Sequence, residues 1–126
     1  MANIKLSASI EDYLETILLI SKEKDSVHAI DIARELSFSK PSVSVAMNKL
    51  KEAGYIIIND KDEISLTPSG LVIAEKTLEK HIILTKMLMS LGVDEKTARE
   101  DACRMEHDIS DESWKAIKDH AKYLDK

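Results

Sequence analysis

The sequence predicts a mainly α protein that opens with a winged helix-turn-helix. Three observations predict it: three amphipathic helical stretches come first, a short β-branched hairpin follows, and three more helical stretches close the chain. At 44% hydrophobic and 33% charged, the 126 residues can bury a core and solvate a surface. Only 4% are aromatic, so Leu, Ile, Met and Ala must do the packing.

Ser9 followed by Glu11 and Asp12 predicts a helix N-cap with acids in the first turn. From there Ile10, Tyr13, Leu14, Ile17 and Leu18 share one face, giving a first helix over residues 9–22. Residues 23–27 form a polar connection, and residues 29–35 a short helix carrying Ile30, Ile32 and Ala33. Ser37, Phe38 and Ser39 make a turn. Ser39, with Pro41 two residues on, opens a third helix that turns Val43, Ala46, Met47 and Leu50 inward and stops near Gly54. Residues 55–58 and 64–66 read as strands around a polar turn at 59–63. Thr67 and Pro68 start a long helix to about Ser90, ended by Gly92. Asp94 starts a fifth helix to about His107, and Ser110 a sixth. No linker is long enough to separate independently mobile domains.

Composition narrows the function classes. No apolar run approaches the ~18 residues of a membrane span, residues 1–10 lack the regions of a signal peptide, and a single cysteine forms no internal disulfide. A reducing, cytoplasmic setting with no membrane partner is expected. The net charge of −5 runs against DNA binding by charge alone. The 18 basic and 23 acidic side chains divide as 8 and 11 in residues 1–70 and 10 and 12 in residues 71–126, so neither half is a basic domain. Either DNA is not the partner, or a bound cation supplies the missing charge.

The strongest chemical signal is Cys103, Glu106 and His107. Positions i, i+3 and i+4 of a helix are neighbours, so a thiolate, a carboxylate and an imidazole project from one patch, a transition-metal half-site. The apolar residues of that helix (Ala98, Ala102, Met105, Ile109) lie roughly 130° away at about 100° per residue, so the cysteine is not simply facing the core. Asp12 and Glu15 lie opposite the apolar stripe of the first helix. Leu19 lies between them by angle, which predicts that this face is covered and that its two acids need a cation. His81 stands mid-way along the fourth helix, on the side of Ala74, Leu78, Leu84 and Leu88, and can reach inward. Each feature taken singly also has an ordinary structural reading: a solvated Glu/His pair, first-turn acids, a hydrogen-bonded histidine, a small buried thiol. His28, His120 and Trp114 read as structural.

The order of motifs adds a resemblance. Ser-Ile-Glu-Asp12-Tyr-Leu-Glu15, then Ser39-Lys-Pro41-Ser-Val-Ser44, then Leu-Thr67-Pro-Ser-Gly70, then His81, then Ala-Cys103-Arg-Met-Glu106-His107-Asp-Ile-Ser-Asp111-Glu112 resembles the diphtheria toxin repressor and manganese transport regulator family, from about Leu6 onward. The resemblance implies a winged helix-turn-helix DNA-binding domain at residues 1–70 and a helical metal-binding and dimerisation domain at 71–126. This is the two-domain form without the SH3-like domain. It implies a homodimeric repressor, not an enzyme, activated by Fe(II) or Mn(II) and bound to double-stranded operator DNA of metal-homeostasis genes, with no small organic ligand. Its implied metal ligands are Asp12, Glu15, His81, Cys103, Glu106 and His107.

The set is a hybrid. Cys103 stands where iron-type members have cysteine and manganese-type members Glu, whereas Asp12 follows the manganese type. Thr85 and Arg99 stand where the iron type has its ancillary Glu and His. Oxygen donors suit Mn(II) and Fe(II) and a thiolate favours later metals, so Fe(II) is narrowly favoured, and Zn(II), Co(II) or Ni(II) should bind in vitro. The resemblance further implies that the ion ties the first helix to the fourth and fifth against the mutual repulsion of Asp12, Glu15 and Glu106. That would set two recognition helices about 34 Å apart, in a dimer joined through the fifth helix with parts of the fourth.

The expected DNA face is Ser39, Lys40, Pro41, Ser42, Ser44, Val45, Asn48 and Lys49. Its serines and the helix N-terminus would meet phosphates. Val45 replaces the base-approaching Gln of iron-type members and offers only apolar contact to thymine methyls. The wing tip Asp60-Lys61-Asp62-Glu63 is acidic and a poor phosphate clamp. Two rivals remain: a catalytic di-metal helical protein, which needs two Glu-x-x-His motifs where one near-match exists, and a metal-independent winged-helix regulator with Cys103 as redox sensor.

Overall fold

The computed structural model describes residues 8–123, so the signal-peptide reading of residues 1–10 and the start of the family match at Leu6 lie partly outside it. The chain divides into two compact units, Met1–Glu75 and Lys76–Lys126. The first holds α1 (Ala8–Ser21), α2 (Ala29–Leu36), α3 (Lys40–Glu52), β1 (Ile56–Ile58), β2 (Ile64–Leu66) and the opening turns of α4 (Pro68–Ser90). This is the expected order of helices and hairpin. One cap is corrected: α1 already contains Ala8 and Ser9, so Ser9 is a helical residue and not the N-cap. Alanine is the strongest helix former, and its place in the helix ahead of Ser9 moves the start at least one residue earlier than the cap expected there.

The core of the first unit is built from the expected stripes. Leu14 and Ile17 of α1, Ile32 of α2, and Val43 and Met47 of α3 are almost wholly buried, and α2 packs on both α1 and α3. Leu19, expected to be covered, is instead exposed, and so is Ile30. In α2 the buried apolar residues are Ile32 and Ala33, and Leu19 lies in the last turn of α1. The turn between α2 and α3 has Ser37 left-handed at φ 59°, and Ser39 caps α3 by accepting the Ser42 N–H at 3.3 Å. That cap and Pro41 in the first turn are why α3 starts where it does.

The hairpin pairs Ile56 with Leu66, Ile57 with Ser65 and Ile58 with Ile64, antiparallel. Ile56 and Ile64 turn inward while Ile57 is exposed, the alternation of a half-buried strand. The Ile64 N–H donates to the Val27 carbonyl at 2.7 Å, tying the hairpin to the segment before α2. At its base the Thr67-Pro-Ser-Gly70 motif has a steric reason. A Cβ on Gly70 would overlap the Tyr55 carbonyl oxygen. Thr67 Oγ1 meanwhile donates to the Gly54 carbonyl at 2.7 Å and accepts the Gly70 N–H at 3.2 Å. Start of helix and end of hairpin are one bonded knot.

An ion pair between half-exposed Lys24 and buried Asp31 secures α2. The Asp31 carboxylate accepts from Lys24 Nζ at 2.7 Å and from the His28 N–H at 2.9 Å. Lys24 first, and then the His28 N–H and nearby charge, hold the Asp31 carboxyl below its ordinary value of 3.8 against the opposing effect of burial.

The second unit comprises the rest of α4, α5 (Glu95–Asp108) and α6 (Asp111–Ala121). Leu84, Ala102 and Trp114, one from each helix, form its core, with Ile83, Met87, Met105, Ile109 and Ile117 packed round them. Trp114 is thus structural, as expected. α4 ends in a turn with Gly92 at φ 99°. Asp94 and Ser110 cap α5 and α6 through the Thr97 and Ser113 N–H groups at 3.2 and 3.1 Å. Among the described residues no helix is long and apolar enough to cross a membrane.

Two measurements check this account. Gly70→Ala should lower unfolding stability by about 1–3 kcal/mol, the range for forced overpacking, seen as an earlier urea midpoint; an unchanged midpoint contradicts the steric reading. The stabilisation from Asp31 should be fully present above the unfolded carboxyl pKa and be lost as pH falls through the depressed folded value. Asp31→Asn should therefore flatten the acid limb of a stability-against-pH curve.

Candidate metal centre

Within the second unit, α5 does what its spacing requires. One ligand atom each from Cys103, Glu106 and His107 lies within 4.8 Å of the other two. α4 brings a fourth group: His81 Nδ1 stands 3.3 Å from Glu106 Oε2, and His107 Nε2 stands 3.6 Å from Glu106 Oε1. The two imidazoles therefore approach the two oxygens of one carboxylate. That carboxylate is fully buried, yet neither oxygen has a hydrogen-bond partner among the described residues. A buried carboxylate without such a partner costs several kcal/mol unless a cation satisfies it. The thiol, carboxylate and imidazole of Cys103, Glu106 and His107 fit a divalent transition ion, and His81 stands at the other oxygen of the same carboxylate.

Around these groups the helix is braced. Thr85 is buried, and its Oγ1 donates to the His81 carbonyl at 2.7 Å, holding the turn of α4 that carries the imidazole. Arg99 is bonded to Glu95 at 2.7 and 2.9 Å. The hydroxyl and the guanidinium are thus committed within their own helices at the two positions compared with an ancillary metal site. Cys103 is exposed, and with His81 it opens onto a surface hollow of about 590 Å³ walled by Arg99, Glu100 and Arg104. Of these, Glu100 and Arg104 were not singled out in the sequence; their spacing to Cys103 along α5 is the signal that marks them.

Asp12 and Glu15 belong to the first unit. They stand one turn apart on α1, Glu15 at 9% exposure and Asp12 half-buried. The expected covering of this face holds for Glu15 and not for Leu19, which is 41% exposed.

Residues expected at a DNA face lie along α3. Lys40, Pro41, Val45, Asn48 and Lys49 are exposed and Ser44 half-buried. Ser39 is engaged locally: its hydroxyl donates to Ser42 Oγ at 2.8 Å while accepting the Ser42 N–H. Ser39 therefore shapes the helix start, and Ser42 keeps the hydroxyl proton that can be offered outward. Beside α3 runs a groove of about 720 Å³ lined by Lys40, Ser44, Asn48 and Lys51 and, from the hairpin turn, Asn59, Asp60 and Asp62. Lys51 and His28, which also lines it, were not among the expected contact residues.

The chain matches the iron dependent repressor N-terminal DNA binding domain over residues 5–63 and the iron dependent repressor metal binding and dimerisation domain over residues 67–126. The chain belongs to the iron-dependent repressor family. This is a family of transcriptional repressors and not of enzymes, and the two matches give the chain a DNA-binding and a metal-binding, dimerising part. It is 39% identical over 115 residues to an HTH-type transcriptional regulator of Methanocaldococcus jannaschii, covering 90% of this chain and 92% of that protein. It is 35% identical over 108 residues to the transcriptional regulator MntR of Salmonella typhimurium, covering 86% and 69%. Among solved structures, a manganese-dependent transcriptional repressor in complex with manganese superposes with a TM-score of 0.81 at 26% identity, covering 90% of this chain and 53% of that one. The chain thus spans about half the length of that structural relative.

If Glu106 is an unpaired buried charge, Glu106→Gln should stabilise the chelator-treated protein by about 1–3 kcal/mol and abolish the rise in melting temperature on adding Mn(II). A lower melting temperature in chelator would show that the carboxylate is already satisfied.

Proposed function

We propose that this family member is a homodimeric transcriptional repressor activated by Fe(II) or Mn(II) that binds operator DNA of metal-homeostasis genes. Residues 1–70 would serve as the DNA-binding domain and residues 71–126 as the metal-binding and dimerisation domain. The observation that carries this reading is the buried Glu106 carboxylate, without a hydrogen-bond partner and approached by His81 and His107. The proposed ligands are His81, Cys103, Glu106 and His107, completed by Asp12 and Glu15, as the motif order implies.

When bound, the ion supplies positive charge against the carboxylates. Glu106 offers buried oxygen donors, the histidines offer neutral nitrogen donors, and Cys103, at the exposed edge, offers a thiolate. Three carboxylates in the set hold the metal-free state open by mutual repulsion, which is why occupancy can be regulatory. Coupling of about 1–3 kcal/mol is enough, equivalent to a 5–150-fold change in DNA affinity. Oxygen donors suit Mn(II) and Fe(II), and the thiolate tips the proposed preference to Fe(II); Zn(II), Co(II) or Ni(II) should substitute in vitro. On the DNA side, Lys40, Lys49 and the Ser42 and Ser44 hydroxyls are proposed to meet phosphates. Ser39 and Pro41 set the helix start, and Val45 and Asn48 face base edges.

Operator binding should be measured under anaerobic conditions by titrating Fe(II) or Mn(II) into wild type, Cys103→Ala, Glu106→Ala and His107→Ala. Wild type should tighten 5–150-fold and the variants should lose most of that gain. Equal binding of all four in chelator would remove the metal switch, and binding that instead follows oxidation of Cys103 would favour a redox sensor. Asp12→Asn with Glu15→Gln should lose the metal response while retaining helical content by circular dichroism; an unaltered response excludes both from the site.

A further inference from the structure

We propose that the wing is an electrostatic selectivity element: Asp60 and Asp62 neutralise the groove beside α3, so that DNA is retained by base contacts more than by charge. This rests on the DNA-binding reading above and adds a determinant of which duplexes are held. Three observations carry it. The groove of about 720 Å³ is lined by Lys40 and Lys51 on the α3 side and by Asp60 and Asp62 on the wing side, two ammonium groups against two carboxylates. Lys61, the cation of the wing tip, is not among the lining residues.

The turn that presents these acids is built and rigid. Asn59 Oδ1 accepts the Lys61 and Glu63 N–H groups, each at 2.9 Å. Its Nδ2 donates to Glu63 Oε1 at 2.7 Å, and the Asp62 N–H donates to the Asn59 carbonyl at 3.0 Å. Asp62 is left-handed at φ 61°. Asn59 thereby engages Glu63 within the turn and leaves Asp60 and Asp62 on the groove.

The physical consequence follows from how the two kinds of DNA binding differ. Affinity for arbitrary sequence is almost all phosphate electrostatics, whereas affinity for the correct site adds base readout. Carboxylates fixed beside the reading helix lower the electrostatic contribution common to both, so that a duplex without base readout is too weakly held to be retained while one that adds base contacts is still bound.

The test uses the full chain loaded with Mn(II), a random-sequence duplex of roughly 30 base pairs and a range of salt concentrations. Asp60→Asn with Asp62→Asn should tighten binding about 5–30-fold at low salt and steepen the log affinity against log salt slope by up to about two units, as the two lysines become free to displace counterions. Asparagine tolerates the left-handed position, so folding is retained. Glu112→Gln with Asp119→Asn, on α6, makes the same change in net charge and should have little effect. Unchanged or weaker binding by the wing variant overturns the proposal, as does an equal gain from the α6 variant. If wild type shows metal-dependent binding while the wing variant matches it, the selectivity role alone fails. If no variant binds duplex at any salt, the DNA-binding reading falls with it.

Discussion

Glu106 carries its carboxylate into the protein interior on a helical turn shared with Cys103 and His107, and among the described residues nothing donates a hydrogen bond to it. A group in that position is expensive, and folded proteins keep such groups where a function uses the cost. Here the two flanking imidazoles stand 3.3 and 3.6 Å from its two oxygens, so the carboxylate and each neighbouring ring nitrogen offer donor atoms to a cation. The rest of the second unit serves this arrangement. The Leu84, Ala102 and Trp114 core sets α4, α5 and α6 together, and the Thr85 bond stiffens the turn under His81. A metal-dependent repressor requires a site whose empty state is disfavoured, and an unsatisfied carboxylate is the simplest way to make one.

In the first unit the counterpart is steric. The hairpin and the start of α4 meet where Gly70 passes the Tyr55 carbonyl with no room for a side chain, and Thr67 and Ser69 both donate to the Gly54 carbonyl there. This knot fixes the wing relative to α3, which joins β1 directly and packs on it. The proposed recognition surface is therefore a composite of helix and wing, with the groove between them lined by both.

Charge runs through both units. An acidic chain of net charge −5 is an uncommon DNA binder, and the two units resolve it differently. In the second, the buried Glu106 carboxylate stands between two imidazoles, where a cation is proposed to be held. In the first, carboxylates line the groove shared with Lys40 and Lys51, so attraction to phosphate is moderated at the reading face itself. Weak general attraction combined with a switchable metal site suits a regulator that must leave DNA when its ion is gone.

Much of this was legible in the chain, because it depends on local periodicity. All six helices and the hairpin follow from apolar spacing and from caps at Ser39, Asp94 and Ser110, and the i, i+3, i+4 spacing alone places Cys103, Glu106 and His107 on one patch. There are exceptions: Ser9 lies inside a helix that Ala8 already joins, and Leu19, in the last turn of α1, is exposed although its angular neighbours Glu15 and Thr16 are buried. Tertiary structure alone decided that Glu106 has no hydrogen-bond partner, that His81 reaches it from another helix, and that Asp60 and Asp62 share a groove with Lys40 and Lys51. Helical and strand periods are properties of neighbouring residues, so one dimension records them. Burial, desolvation and the meeting of charges on separate elements are set by distances across the fold, which sequence spacing does not contain.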